Sequence, residues 1–252
     1  MRKLSVNRIL VSQPKPEDEK KNPFFDLKNR YNFTLDFRSF THIEGVTALD
    51  FRKERIEILA HSAVILTSRN AVDHFFRMCT EMRVTVPESM KYFCISESTA
   101  YYLQHHVAFR KRKIFHGDKK FSDLIDIFKK HKDEKFLLPC SDIHKEEMPS
   151  ILEELDLKYT KAVIYKTVCS DLSDLKNIFY DILVFYSPQA ITSLFKNFPD
   201  FKQNNTRIAA FGSTTSQAIR DAGLILDIEA PMPNAPSMTM AIESYIKSVR
   251  AN

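Results

Sequence analysis

The 252-residue sequence predicts an α/β fold of two similar parallel-sheet domains, one inserted in the other and joined by two extended β crossovers. Three observations carry this expectation. Short apolar, β-rich runs alternate with segments of helical period, as parallel strands joined by helical crossovers require. One strand–turn–helix pattern occurs twice along the chain. Two segments that alternate apolar and polar residues flank its central copy.

In chain order the expected strands are 8–11, 63–66, 92–95, 136–138, 162–165, 182–185, 207–211 and 224–227. The expected helices are 50–58, 71–81, 98–106, 121–131, 145–155, 190–197, 214–222 and 237–249. Laid on itself, residues 62–76 (SAVILTSRNAVDHFF) match 181–195 (DILVFYSPQAITSLF), which places Ser68 over Ser187. Residues 93–107 (FCISESTAYYLQHHV) match 209–223 (AAFGSTTSQAIRDAG), which places Thr99 over Thr215. The flanking half-exposed strands are 33–46 (FTLDFRSFTHIEGV) and 159–168 (YTKAVIYKTV). The economical topology puts residues 1–35 and 168–252 in one discontinuous domain and residues 36–167 in the inserted one, so both termini share a domain.

Composition narrows the chemistry. At 44% hydrophobic and 27% charged, the chain reads as an ordinary globular protein. Its longest apolar runs are strand-sized, and the N-terminal apolar stretch, residues 9–11, is no signal sequence; no membrane association and a cytoplasmic location are expected. An average composition would supply about 18 glycines. The chain has 4, too few and too scattered for a Walker loop or a dinucleotide-binding turn. Cys79, Cys94, Cys140 and Cys169 form no CxxC pair and read as reduced thiols. The net charge of +5 and the basic run Arg110-Lys111-Arg112-Lys113 with Lys119-Lys120 read as solvated surface rather than a nucleic-acid interface. His105-His106, and His144 beside Asp142, lack metal-ligand spacing, so no metal site is expected. No G-x-S-x-G pattern marks a nucleophilic serine.

In open α/β sheets, ligands bind beyond the carboxyl ends of the strands. Those ends are chemically alike: Thr67-Ser68-Arg69-Asn70, Ser96-Glu97-Ser98-Thr99, Cys140-Ser141-Asp142, Ser187-Pro188-Gln189 and Gly212-Ser213-Thr214-Thr215. Each sits at the start of a helix, where backbone N–H groups lack intrahelical partners and the helix dipole favours an anion. Any one such turn is adequately explained as a helix cap. Several of them, on two domains, suit a small molecule bearing multiple carboxylates, bound between the halves.

At these same turns the chain resembles the uroporphyrinogen-III synthase family. Residues 210–223 (AFGSTTSQAIRDAG) are similar to the family's A-I-G-P-T-T-A-x-A-L-x-x-A-G, and 185–191 (FYSPQAI) to F-T-S-P-x-A-V. Residues 66–72 (LTSRNAV) look like the sister motif in the inserted domain, 164–167 (IYKT) resemble V-Y-R-T, and 9–14 (ILVSQP) resemble I-L-V-T-R-P. The likeness spans nearly the whole chain in the right order. Gln13, Ser96, Cys140-Ser141 and Ser213 depart from the pattern, where the family commonly has Arg, Gly, Arg-Gly and Pro.

The resemblance implies an enzyme of tetrapyrrole (heme) biosynthesis, a cyclising hydro-lyase that needs no cofactor. Hydroxymethylbilane would lose its terminal hydroxyl to give an azafulvene, and the terminal pyrrole would be inverted through a spiro intermediate before closure to uroporphyrinogen III. It implies Tyr165 as the acid. It implies Ser12, Thr67, Ser68, Asn70, Ala71, Ser96, Ser98, Thr99, Ser141, Asp142, Ser187, Gln189, Ala190, Gly212, Ser213, Thr214 and Thr215 as substrate-binding positions. A monomer is expected, with hand-over of the substrate from hydroxymethylbilane synthase. The competing reading is a non-catalytic two-domain tetrapyrrole- or anion-binding regulatory module.

Overall fold

A computed structural model describes residues 6–108, 110, 112–143 and 147–251, with residues 250 and 251 described without their side chains. Lys111 of the basic run, His144, and the first two residues of the expected helix 145–155 lie outside the described residues. The chain opens with β1 (Arg8–Val11), α1 (Pro23–Tyr31), β2 (Thr34–Phe37), β3 (Thr41–Gly45) and α2 (Ala48–Lys53). It continues through β4 (Ala63–Leu66), α3 (Arg69–Glu81), β5 (Lys91–Cys94), α4 (Glu97–Leu103), β6 (Ile114–His116) and α5 (Ile125–Lys129). Then come β7 (Lys135–Ser141), α6 (Glu147–Glu154), β8 (Lys158–Cys169), β9 (Ile182–Phe185) and α7 (Pro188–Asn197). The last elements are β10 (Arg207–Phe211), α8 (Ser213–Asp221), β11 (Leu226–Ala230) and α9 (Met238–Ala251).

The chain divides into two compact units, Met1–His42 with Val168–Asn252, and Ile43–Thr167. The first contains a five-stranded sheet in the order β11-β10-β9-β1-β2, parallel at every pairing. Strand parity sorts its core. Ile9, Val11, Ile182, Val184 and Ala209 face one side with Phe24 and Leu27 of α1 and Ile242 and Ile246 of α9. Leu10, Leu183, Phe185, Ile208 and Ala210 face the other with Ile191 and Leu194 of α7 and Ile219 of α8. Both faces of these short strands are covered, which is why they read as unbroken apolar runs.

The second unit's sheet has the order β3-β8-β7-β4-β5-β6, with β4 to β8 parallel throughout. Val64, Leu66, Tyr92, Cys94 and Leu137 face α3 and α4 through Val72, Phe75, Met78, Ala100 and Leu103. Ala63, Ile65, Phe93, Phe136 and Leu138 face Phe128 of α5 and Leu152 of α6. The predicted fold class is thus realised, and the repeated segments become equivalent layers: α3 and α4 cover one face of their sheet as α7 and α8 do in the other unit.

Several boundaries need correction. The expected strand 33–46 is two strands in different sheets, β2 and β3. The expected helix 50–58 ends at Lys53, because Arg55 adopts a left-handed φ of 54°. The expected helix 121–131 begins as a 3₁₀ turn, Phe121–Leu124, and is helical only to Lys129. The expected strand 224–227 lies further on, as β11, and 98–106 stops as a helix at Leu103. Helix α1, capped by the Asn22 side chain with Pro23 in its first turn, is absent from the expected elements.

Candidate anion-binding helix starts and Tyr165

Each sheet reverses its strand order at one point, which for open α/β sheets is where the ligand crevice forms. In the first unit this lies between β1 and β9, in the second between β4 and β7. Ser12 follows β1 and donates its N–H to Val184 O at 2.9 Å. Its Oγ is buried and has no hydrogen-bond partner among the described residues. A buried hydroxyl left in that state costs about 1–3 kcal/mol unless water or a bound molecule completes it.

The repeat is reproduced where the helices begin. Ser68 caps α3, its Oγ accepting from Ala71 N–H at 3.1 Å, and Ser187 caps α7 by accepting from Ala190 N–H at 3.3 Å. Ala71 and Ala190 are buried, and their N–H groups are held by those caps. Thr99 and Thr215, paired by the repeat, occupy the same first-turn position of α4 and α8 and are 4% and 1% exposed. Around them Asn70, Ser98, Ser213 and Thr214 are exposed, whereas Thr67, Gln189 and Gly212 are half-buried.

The starts of α4 and α8 differ in chemistry. At α4, Ser96 Oγ accepts from Thr99 N–H at 3.3 Å and lies 3.0 Å from Ser98 Oγ and 3.1 Å from Thr99 Oγ1. At α8 the capping position is Gly212, at φ 90°, and no side chain caps the first turn. A left-handed φ of that size is open to glycine and strained for other residues. The N–H groups of Ser213, Thr214 and Thr215 therefore start a helix without a side-chain acceptor.

Ser141 and Asp142 close the β7 end. Asp142 accepts from Thr167 N–H and Ile143 N–H, each at 3.0 Å, and from the Ser141 hydroxyl at 2.8 Å. Burial alone would raise its pKa, but these hydrogen bonds outweigh burial and hold it below the ordinary carboxylate value. Through these bonds Asp142 links the end of β7 to Thr167 of β8.

Tyr165 lies on β8, opposite Ser141, and is 7% exposed. Burial raises the phenol's pKa above its ordinary value, and the Ser68 side chain partly offsets this. Sequence reasoning missed His74, whose ring stacks on Tyr165 at 5.1 Å between centroids. It also missed Tyr186 and Phe211, paired at 5.6 Å at the carboxyl ends of β9 and β10. Only the adjacency of Tyr186 to Ser187 could have drawn attention to that pair.

Other predicted features resolve locally. Arg110 pairs with Glu88 at 2.9 Å, Lys113 donates to Glu88 O, and the N–H groups of Lys119 and Lys120 bind the Asp123 carboxylate. All four cysteines are free thiols, and burial pushes Cys94 up to about 12 and Cys140 to about 11. Among the described residues no three His, Cys, Asp or Glu side chains are placed to hold a metal ion. Among those same residues no helix is long and apolar enough to cross a membrane.

Two α/β sheets, each with hydroxyl-bearing helix starts at its strand ends, define a protein of two similar α/β units. The family model described as uroporphyrinogen-III synthase HemD matches residues 36–240, and the chain belongs to that family. The fold agrees with uroporphyrinogen-III synthetase from Helicobacter pylori 26695, at 17% identity and TM-score 0.59 over 96% of this chain and 99% of that one. It also agrees with a mutant uroporphyrinogen III synthase from the extremely thermophilic bacterium Thermus thermophilus, at 12% identity and TM-score 0.52 over 98% of this chain and 100% of that one. No curated protein sequence matches.

Proposed function

We propose that this member of the family is a cyclising hydro-lyase that converts hydroxymethylbilane to uroporphyrinogen III with loss of water. The observation that carries the reading is the recurrence, in both units, of serine- and threonine-bearing helix starts at the carboxyl ends of the sheet, in a chain of this family. The acetate and propionate arms of the bilane would be held by directed N–H and O–H donors of both units. The discontinuous first domain and the inserted second would each supply part of the set: Ser12, Ser187, Gln189, Gly212, Ser213, Thr214 and Thr215 from one, Thr67, Ser68, Asn70, Ser96, Ser98, Thr99 and Ser141 from the other. Ala71, Ala190 and Asp142 would act by shaping these turns.

The chemistry asks for geometry more than for strong charge. Once the terminal hydroxyl has left, the azafulvene closes without inversion if it is free, so the protein must favour attack at the already substituted carbon. Fixed orientation of reacting groups can supply several kcal/mol of such a preference. Donors already placed where negative charge sits cost no reorganisation during reaction. Tyr165 would protonate the departing hydroxyl or the spiro intermediate. The phenol is protonated at neutral pH; burial raises its pKa and so weakens it as an acid, and the Ser68 side chain works against that rise.

No cofactor is assigned to this chemistry. The protein would act as a cytoplasmic monomer taking its short-lived substrate from hydroxymethylbilane synthase, since spontaneous closure of the bilane penalises delay. The test supplies enzymatically made hydroxymethylbilane and resolves the product isomers. Uroporphyrinogen III is expected in excess; uroporphyrinogen I alone, at the rate seen without protein, would refute the reading. Tyr165→Phe is expected to lower kcat by about 10²-fold, within the range of general acid catalysis.

A further inference from the structure

Helix α3 meets Tyr165 and its strand at two places, and the side chain of Ser68, which caps it, pulls the phenol's pKa down against the effect of burial. Further along, His74 lies against the phenol ring, with centroids 5.1 Å apart and planes 24° apart. One turn on, Arg77 spends its donors on the same neighbourhood. Arg77 Nη2 donates to Ile164 O at 3.1 Å, the carbonyl immediately before Tyr165, and to Val46 O at 3.0 Å. Arg77 Nε donates to His74 Nδ1 at 3.1 Å, and Nη1 to Glu81 Oε1 at 2.6 Å.

The arginine bond fixes the state of the imidazole. A guanidinium has donors only, so His74 Nδ1 must be the unprotonated acceptor and the ring's proton sits on Nε2. Burial and the adjacent guanidinium lower the His74 pKa, against the opposing pull of Asp73 and Glu81. The guanidinium itself is admitted by Gly45, where a Cβ would lie 2.6 Å from Arg77 Cζ. Any side chain there would displace the group that holds both His74 and the Ile164 carbonyl.

We infer that His74 and Arg77 are positioning residues for Tyr165: a neutral imidazole, oriented by Arg77, clamps the phenol ring while Arg77 fixes the backbone beside it. The inference rests on the catalytic reading of Tyr165 only for its effect on rate. The clamp itself is a property of the ring and can be measured without substrate.

Two measurements on the full chain separate these. The first is the flip rate of the Tyr165 ring, from NMR line shapes of labelled tyrosine assigned with Tyr165→Phe. His74→Ala should raise the flip rate at least about tenfold, and His74→Phe, which keeps a stacking ring, should restore most of the restraint. An unchanged flip rate in a folded His74→Ala protein would overturn the clamp. The second is a double-mutant cycle in kcat. His74→Ala and Arg77→Lys should each lower kcat about tenfold at unchanged KM, because a small misplacement of a reacting group is costly. In a Tyr165→Phe background the same changes should alter kcat less than about twofold. Equal losses in both backgrounds would overturn action through Tyr165. If Tyr165→Phe alone left kcat unchanged, the acid assignment would fail, and the flip rates would still decide the clamp.

Discussion

The β10–α8 and β5–α4 turns, matched to each other by the repeat, share a buried threonine and little else. Thr215 and Thr99 are both nearly inaccessible in the first helical turn. Before Thr215 the chain passes through Gly212 at φ 90°, and no side chain caps the turn. Before Thr99 stands Ser96, which accepts the Thr99 N–H and gathers Ser98 and Thr99 hydroxyls around itself. The α8 start leaves its N–H donors open; the α4 start has already spent part of its capacity. The two turns share a scaffold position and differ in donor chemistry.

The largest test of this comparison is a carboxylate placed at each helix start. Gly212→Asp puts a Cβ at a left-handed φ and a negative charge on the open donors; a loss of at least about 10²-fold in kcat/KM is expected. Ser96→Asp keeps a good capping residue and should cost about tenfold or less. Equal losses in the isomer-resolved assay would break the asymmetry. The buried threonines give a smaller contrast: Thr215→Val should raise KM more than Thr99→Val. Comparable KM values for the two variants would show that α4 and α8 bind the substrate alike.

The serine caps sharpen the comparison further. Ser68→Ala and Ser187→Ala each remove one cap, worth about 1 kcal/mol of stability, and should lower the unfolding midpoint similarly. The Ser68 side chain also lowers the Tyr165 phenol's pKa against burial, so only Ser68→Ala should lower kcat beyond what the stability loss explains. Kinetics at a temperature where both variants are fully folded separates the effects. A matched fall in kcat for Ser187→Ala would argue against a special role for Ser68.

Much of this is legible in the sequence because of its periodicity. Strands such as 63–66 and 182–185 are apolar on both faces and lead within two residues to a threonine or serine, so element type and turn chemistry can be read together. The repeat marks Ser68 with Ser187, and Thr99 with Thr215, as equivalent without any geometry. What escapes depends on the third dimension. His74 reads as one more polar residue on an amphipathic helix, and nothing along the chain says that its ring lies on Tyr165. Residues 33–46 alternate like one strand, yet the segment 38–40 between β2 and β3 sends its halves to different sheets. Nor does position along the chain show that the Asp142 carboxylate accepts three hydrogen bonds, from Ser141, Ile143 and Thr167.

The smallest expected effect concerns that carboxylate, and it separates turns proposed to bind anions from one that contains an anion. The folded-state pKa of Asp142 is lowered, so its contribution to stability is present above its unfolded value of 3.8 and is lost as pH falls through the folded value. Asp142→Asn should therefore unfold at a lower temperature than the parent near neutral pH, with the gap closing below pH 3.8. Asp142 is exposed, so solvent screening keeps the difference small. If the variant instead bound substrate more tightly and kept its stability, the Asp142 charge would be a cost to binding rather than a brace between β7 and β8. A gap that persisted unchanged into acid would mean that the side chain's shape, and not its charge, holds Thr167 and Ile143 in place.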